Sequence, residues 1–254
     1  MTGSTPTEAQ ALPRQAERFR IFLNRIIFRG TIFTVGAIAL FLYRVLGKKE
    51  LAWRFAKTRA RSLCRMCGVR VHVRGLEHLG AGPYMFTPNH QSNFDIAALL
   101  GFLPGNNRFG TKRELFNEPI LGTVLRTMGM IPIDRDDPAG SIEKLNRLKG
   151  EPFSTIIFPE GTRSRDGSLL PFKKGAFVAA LKLQIPIVPI VCKGTSEIMP
   201  KGGYLSIVPG NVELVVLEPI PTVGLTYEDR DRLRDLVRER IEEELNRPIE
   251  AVRR

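Results

Sequence analysis

Apolar residues are spaced in three different ways along this chain, and each spacing predicts a different kind of element. Residues 1–16 are polar, interrupted by Pro6 and Pro13, and are expected to form a disordered tail. Residues 21–46 are apolar on nearly every side, which predicts one long helix. Its uncharged centre, residues 30–43, is about 21 Å long at 1.5 Å per residue, shorter than the hydrocarbon core of about 30 Å. Adding residues 21–28 gives enough length only if Arg25 and Arg29 snorkel to the interface. The preferred reading is a helix embedded in one leaflet, with a single span as the alternative. In residues 50–67, Ala52, Phe55, Ala56, Ala60, Leu63, Cys64 and Cys67 recur at helical spacing, with Arg54, Lys57, Arg61 and Arg65 off the stripe. A second helix with a basic face resting on lipid phosphates is expected there.

From Val69 onward, short apolar runs alternate with helical periodicity. Strands are predicted over residues 69–73, 83–87, 108–111, 130–133, 154–158 and 187–192, and helices over 92–102, 115–127, 141–148, 174–183 and 227–245. The last helix opens on the capping pattern Thr226-x-x-Asp229. A late hairpin is expected to pair residues 205–208 with 212–217 through Pro209-Gly210-Asn211. Alternation of this kind predicts the α/β class, with one largely parallel sheet flanked by helices. The expected division is a tail at 1–16, membrane-associating helices at 17–67 and one domain at 68–254.

Charge sharpens the picture. The formal net charge is +12, yet residues 1–74 hold 15 Lys/Arg against 3 Asp/Glu, while the rest hold 23 of each. All the excess lies at the N-terminal end, pointing to an anionic surface as partner. The uncharged run 30–43, with Leu51, Trp53, Phe55 and Leu63 among the basic residues that follow, favours a membrane over nucleic acid. Cys64-Arg65-Met66-Cys67 has no second pair at zinc spacing and sits in a helical pattern, so it reads as two small core residues in a reducing compartment. The expected location is the cytoplasmic face of a membrane, monotopic or single-pass near the N-terminus.

Candidate chemistry concentrates at the ends of the predicted strands. His90 falls in a strand-to-helix turn, five positions before Asp95. Residues five apart on a helix point about 140° away from each other, so the pair can touch only if His90 precedes the helix and Asp95 lies in its first turn. A carboxylate there would fix the imidazole tautomer and leave the other nitrogen to take a proton. Ser92-x-x-Asp95 is also a capping-box pattern, and that plainer reading stays open. Glu160-Gly161-Thr162-Arg163 follows another strand: Gly161 permits close backbone approach and Arg163 offers a planar fork to phosphate, unless Glu160 and Arg163 simply pair. Asp134, Asp136 and Asp137 lack calcium-loop spacing and read as a solvated acidic turn, so no metal is expected. No Gly-x-Ser-x-Gly elbow and no glycine-rich dinucleotide or nucleotide-triphosphate loop is present, and a serine acyl-enzyme is not expected.

Taken together, His90-x-x-x-x-Asp95, Gly129-Met130-Ile131-Pro132-Ile133-Asp134-Arg135, Phe158-Pro159-Glu160-Gly161-Thr162-Arg163-Ser164 and Ile187-Val188-Pro189-Ile190 resemble, in order, the motif blocks of the glycerolipid acyltransferases. The resemblance is to the 1-acylglycerol-3-phosphate acyltransferases in particular and covers about residues 70 to 195. It implies His90 as general base oriented by Asp95, an acceptor site built from Glu160, Gly161, Thr162, Arg163 and Arg135, with Lys112 beside it, and an acyl-chain region at Pro189. It further implies acyl transfer from acyl-CoA or acyl carrier protein, without a cofactor, to lysophosphatidate. Glycerol 3-phosphate or another lysophospholipid is the alternative acceptor, and a non-catalytic membrane-binding protein of the same fold is the alternative from a different class.

Overall fold

A computed structural model of the chain describes residues 15–134, 136–146, 150, 153–202 and 206–249. Residues 1–14 of the expected tail lie outside the described residues; 15 and 16 already belong to the first helix. In chain order the elements are α1 (Gln15–Leu40), continued by a π-helical turn (Phe41–Val45), α2 (Lys49–Met66), β1 (Val69–Arg74), β2 (Met85–Pro88) and α3 (Phe94–Phe102). There follow β3 (Asn107–Lys112), α4 (Pro119–Thr127), β4 (Ile131–Ile133), α5 (Pro138–Asn146), β5 (Ser154–Ile156), α6 (Gly175–Leu183), β6 (Ile187–Lys193), α7 (Thr195–Ile198), β7 (Gly210–Val216) and α8 (Arg230–Leu245).

The strands form one seven-stranded sheet in the order β1-β7-β6-β2-β5-β3-β4. Every neighbouring pair is parallel except β6 and β7. Strands β2 to β6 therefore all end on the same edge, the edge where open α/β sheets place their sites. Strand alternation sends Phe86, Val188 and Ile190 to one face, with α3 and the end of α2. It sends Met85, Ile187 and Val191 to the other, with α6 and α8.

Two expectations are corrected. The late hairpin does not form: β7 pairs with β6 and β1, and residues 206–209 are not strand. Pro209 has no N–H to give a ladder, the Ile207 carbonyl accepts from Asn24 Nδ2 at 2.9 Å, and the Val208 N–H donates to Ile198 at 2.9 Å. Leu205 lies outside the described residues. The helix expected over 115–127 is split, because Pro119 starts α4 at a first-turn position after a 3-10 turn at Arg113–Asn117.

Helix α2 also departs from expectation. In α2, Trp53 and Leu63 are buried, and the Arg108 guanidinium lies 4.3 Å from the Trp53 ring centre. Lys57 Nζ donates to the Leu103 and Gly105 carbonyls at 2.6 and 2.9 Å, and Arg61 Nε to Gly101 at 2.5 Å. Two of the four residues expected on a lipid-facing basic surface thus cap the C-terminal end of α3, where carbonyls are unpaired and positive charge is favoured. Helix α1 buries Phe28 and Ala39 and still leaves much apolar surface outside. Asn24 and Thr31 are among its buried residues, while Phe19, Phe22, Ile26, Phe33, Ile38, Phe41 and Val45 along α1 and its π-turn point outward. The 27 residues Phe19–Val45 are apolar enough to cross a membrane and span about 40 Å at 1.5 Å per residue.

A buried ionic cluster ties the C-terminal helix to the sheet. Lys193 Nζ lies 2.7 Å from Glu244 and 3.6 Å from Glu213, and Arg74 bridges the same two carboxylates at 2.8 and 2.9 Å. Thr226 and Asp229 make the expected reciprocal capping box before α8. Cys64, Cys67 and Cys192 are free and buried; burial pushes the Cys64 thiol up to about 12 and the Cys67 thiol to about 11.

Candidate active site

Strand β2 is interior, between β6 and β5, and Pro88 closes it. The chain then turns through Asn89 and His90 before α3 begins at Phe94. Asn89 fastens this turn to the neighbouring strand, its Nδ2 donating to the Cys192 carbonyl at 3.1 Å and its Oδ1 accepting the Cys192 N–H at 2.7 Å. Ser92 Oγ donates to the Met199 carbonyl at 2.7 Å and accepts the Phe94 N–H at 3.0 Å.

His90 and Asp95 meet as their spacing requires. His90 Nδ1 is 2.7 Å from Asp95 Oδ2, and the same oxygen accepts the N–H groups of Gln91 and Ser92, each at 2.9 Å. An oxygen that already accepts two backbone donors makes Nδ1 the protonated nitrogen and leaves a lone pair on Nε2. Nε2 has no hydrogen-bond partner among the described residues. One carboxylate oxygen of Asp95 thus holds both the His90 ring and the Ser92 N–H; the reciprocal bond of a capping box is not made, because Ser92 Oγ accepts from Phe94 instead of Asp95. Asp95 is wholly buried, whereas the His90 side chain retains 14% exposure.

The segment after β5 wraps this turn. Phe158 stacks on the imidazole, ring centres 3.9 Å apart and planes inclined by 22°. Glu160, only 3% exposed, is fully engaged: Oε1 accepts the His90 N–H at 2.6 Å and Oε2 the Leu170 N–H at 3.0 Å. In return the Ser164 N–H donates to the His90 carbonyl at 2.8 Å, and Gln91 Nε2 donates to the Gly167 carbonyl at 2.9 Å. Burial raises the Glu160 carboxyl to about 7, against the two amides that favour its charged form. Burial likewise pushes the Cys192 thiol, behind the turn on β6, well above its usual range, with the carboxylates of Asp95 and Glu160 adding to the effect, which leaves a poor nucleophile.

The remaining expected site residues are distributed as follows. Gly161 has φ +67°, and a Cβ there would come within 3.3 Å of the Lys173 side chain. Thr162 is exposed and Arg163 half-buried. Lys201 Nζ donates to the Arg163 carbonyl at 2.6 Å, and the Arg163 guanidinium has no hydrogen-bond or ion-pair partner among the described residues. Glu160 and Arg163 are thus not paired with each other. Lys112 ends β3, its Nζ 3.2 Å from Glu114. Arg135 lies outside the described residues. Asp134 Oδ1 accepts the N–H groups of Asp136 and Asp137, and its other oxygen pairs with Arg113. Pro189 is buried in β6 opposite Thr87. An apolar cavity of about 300 Å³ adjoins the site, lined by Ile133, Ile142, Leu145, Ile157, Phe158, Gly161 and Lys173 among others.

Sequence reasoning missed the stack by Phe158, the clasp by Asn89, the bond from Ser164 and the brace by Lys201. Asn89, Phe158 and Ser164 lie inside or beside the motif blocks, so proximity to the blocks was their one signal. Lys201 carried none. Glu160 was expected to touch the acceptor; instead its carboxylate is turned inward onto backbone amides.

The arrangement provides a held base, an unpaired cation and an adjoining apolar cavity. The family pattern described as Acyltransferase matches residues 70–193. The human 1-acyl-sn-glycerol-3-phosphate acyltransferase alpha is 33% identical over 224 residues, 86% of this chain and 79% of that protein. A chloroplastic 1-acyl-sn-glycerol-3-phosphate acyltransferase of Brassica napus is 38% identical over 183 residues, of which the match spans 51% of that protein and 70% of this chain. The crystal structure of the 1-acyl-sn-glycerophosphate acyltransferase PlsC from Thermotoga maritima superposes with a TM-score of 0.76 at 27% identity, covering 92% of this chain and all of that one.

Proposed function

The chain belongs to the 1-acyl-sn-glycerol-3-phosphate acyltransferase family and is an acyltransferase, and from that premise we propose that it moves a fatty acyl group from a thioester to the free hydroxyl of lysophosphatidate, giving phosphatidate. The observation that carries the reading is the His90–Asp95 pair, 2.7 Å apart with Nε2 left open. Nε2 takes the proton of the acceptor hydroxyl while its oxygen attacks the thioester carbonyl. Asp95 holds the tautomer and stabilises the imidazolium that forms. Phe158 presents a ring face to the same cation, an attraction of about 0.5 to 2 kcal/mol. As the C–S bond breaks, the proton passes from Nε2 to the departing thiolate, which leaves as the thiol. The thioester is already activated, so no enzyme nucleophile is required, consistent with a buried, neutral Cys192.

Arg163, with Gly161 beside it, is the acceptor-phosphate site in this reading, joined by Thr162, Lys112 and Arg135. Its support is the unpaired guanidinium next to a backbone that can approach a ligand closely. Glu160 acts one step removed, by positioning His90. The apolar cavity beside Phe158 and Gly161 has room for part of an acyl chain, and Pro189 helps shape the strand behind the site. No cofactor or metal takes part. The acyl donor is acyl-CoA or acyl carrier protein, and the outward apolar face of α1 supports membrane attachment near the N-terminus; the cytoplasmic face is the side this reading assigns.

The test is thiol release from oleoyl-CoA or palmitoyl-CoA, and in a parallel arm from acylated acyl carrier protein, by purified protein in detergent, with lysophosphatidate, glycerol 3-phosphate or zwitterionic lysolipids supplied in turn and His90→Ala as control. Release that needs lysophosphatidate and is lost in the variant supports both reaction and base. Release with another acceptor keeps the mechanism and changes the substrate. Release only from acyl carrier protein reassigns the donor, and none from either would overturn the catalytic reading.

A further inference from the structure

We propose that the first turns of α4 make a second contact with the lipid bilayer, continuous with the outward face of α1. The inference rests on the membrane-attached reading above and adds a surface to it. Helix α4 carries one apolar stripe, Ile120, Leu121, Val124 and Met128, at spacings that fall on one side of a helix. The far half of the stripe is covered: Val124 and Met128 cluster with Val35 and Ala39 of α1. The helices cross so closely that a Cβ at Gly36 would come within 3.1 Å of Val124 Cγ2. The near half is bare. Ile120 is 64% exposed, as much as Phe33 on the outward face of α1, and Leu121 and Leu115 are each 39% exposed.

A stripe that is half packed and half bare needs a cover for the rest, and the helix that packs it shows what the cover is. The α1 face left open is itself aromatic and aliphatic over many turns, so both elements present apolar surface with α1 already reading as lipid-facing. Lys112 and Arg113, just ahead of α4, have side chains 48% and 63% exposed, which suits the headgroup level even though each also meets a carboxylate. Lys112 also ends β3 on the sheet edge that holds His90. A bilayer seated on Ile120 and Leu121 would therefore bring that edge to the surface from which a lysolipid must come.

The test places an environment-sensitive fluorophore on a single introduced thiol in the full chain. All three native cysteines are buried, so Ile120→Cys, Phe33→Cys and Arg232→Cys can each be labelled selectively, and each alters an exposed position away from the catalytic turn. The proteins are reconstituted in vesicles of phosphatidylcholine and phosphatidylglycerol with and without spin-labelled acyl chains. Quenching at Ile120 that matches Phe33, with Arg232 unaffected, supports the inference. Quenching at Phe33 but not at Ile120 overturns it and leaves the α1 reading standing; quenching at neither overturns both. A spectral shift at Ile120 that grows with the ratio of protein to lipid, without quenching, assigns the patch to a second copy of the chain and also overturns it.

Discussion

Glu160 accepts the backbone N–H of His90 at 2.6 Å, so the residue assigned to proton transfer is held by its main chain as well as by its ring. The strap is reciprocal, because the His90 carbonyl accepts from Ser164 four residues beyond Glu160. The loop that carries Arg163 and the turn that carries His90 are consequently tied through both main-chain groups of His90.

Replacing Glu160 by Gln keeps one acceptor but turns an amide donor toward the other N–H. A buried donor left unsatisfied costs about 1 to 3 kcal/mol of stability; by releasing the His90 amide it also lets the imidazole shift from its productive position, so kcat is expected to fall by roughly tenfold to a hundredfold. The KM for lysophosphatidate should change little. Steady-state kinetics of Glu160→Gln decide between the roles: a raised KM with kcat intact would make Glu160 an acceptor ligand after all.

Stability should depend on pH through the same carboxyl. Burial raises Glu160 from 4.5 to about 7, so the folded state binds more protons than the unfolded state between those values. The contribution is fully present below about pH 4.5 and is lost as pH rises toward 7, by roughly 3 kcal/mol at the most. Urea midpoints measured from pH 5 to 8 should show this downward component, and Glu160→Gln should flatten it. A slope unchanged by the substitution would mean that the carboxyl titrates normally.

Asp95→Asn removes the negative charge that orients and stabilises His90 while leaving a side chain of the same size. Loss of effective general-base catalysis corresponds to a fall in kcat of about 10² to 10⁴. Circular dichroism should confirm that the variant is folded, since Asp95 also holds the Ser92 N–H ahead of α3. Activity within a factor of a few of the parent would remove the pair from the mechanism.

Lys193→Met is expected to destabilise the fold without touching the site. It would leave Glu213 and Glu244, 1% and 3% exposed, with one cation fewer in a dry environment. Breaking a buried pair in this way costs about 3 to 5 kcal/mol. Chemical denaturation measures the loss, and Lys193→Met combined with Glu244→Gln should be less destabilised than the sum of the two single variants.

What could be read in advance followed the physics that each segment depends on. The parallel α/β core was legible because strand runs and helical stripes are local patterns, and His90 with Asp95 because their spacing permits contact only across a helix start. Burial that depends on distant partners was not. Trp53 among basic residues suggests a lipid surface until Arg108, from a strand beyond the next helix, is seen against its ring. Lys57 and Arg61 look solvated until the end of α3 is placed beneath them. Pro119 marks the start of α4, yet the apolar stripe runs on across it and on pattern alone reads as one helix over 115–127. For Glu160 the motif suggested a ligand, and only the path of the chain places the His90 amide within its reach.

The parallel pairing of β1 with β7 joins Val69 to Gly210, 141 residues apart in sequence. Contacts of such separation form late, after the entropy of closing a long loop has been overcome. Until β7 inserts between β1 and β6, both flanking strands present open hydrogen-bonding edges that invite pairing with other chains. The domain is therefore most prone to aggregate in the interval before its last strand arrives, and a chain truncated ahead of Gly210 would remain in that state.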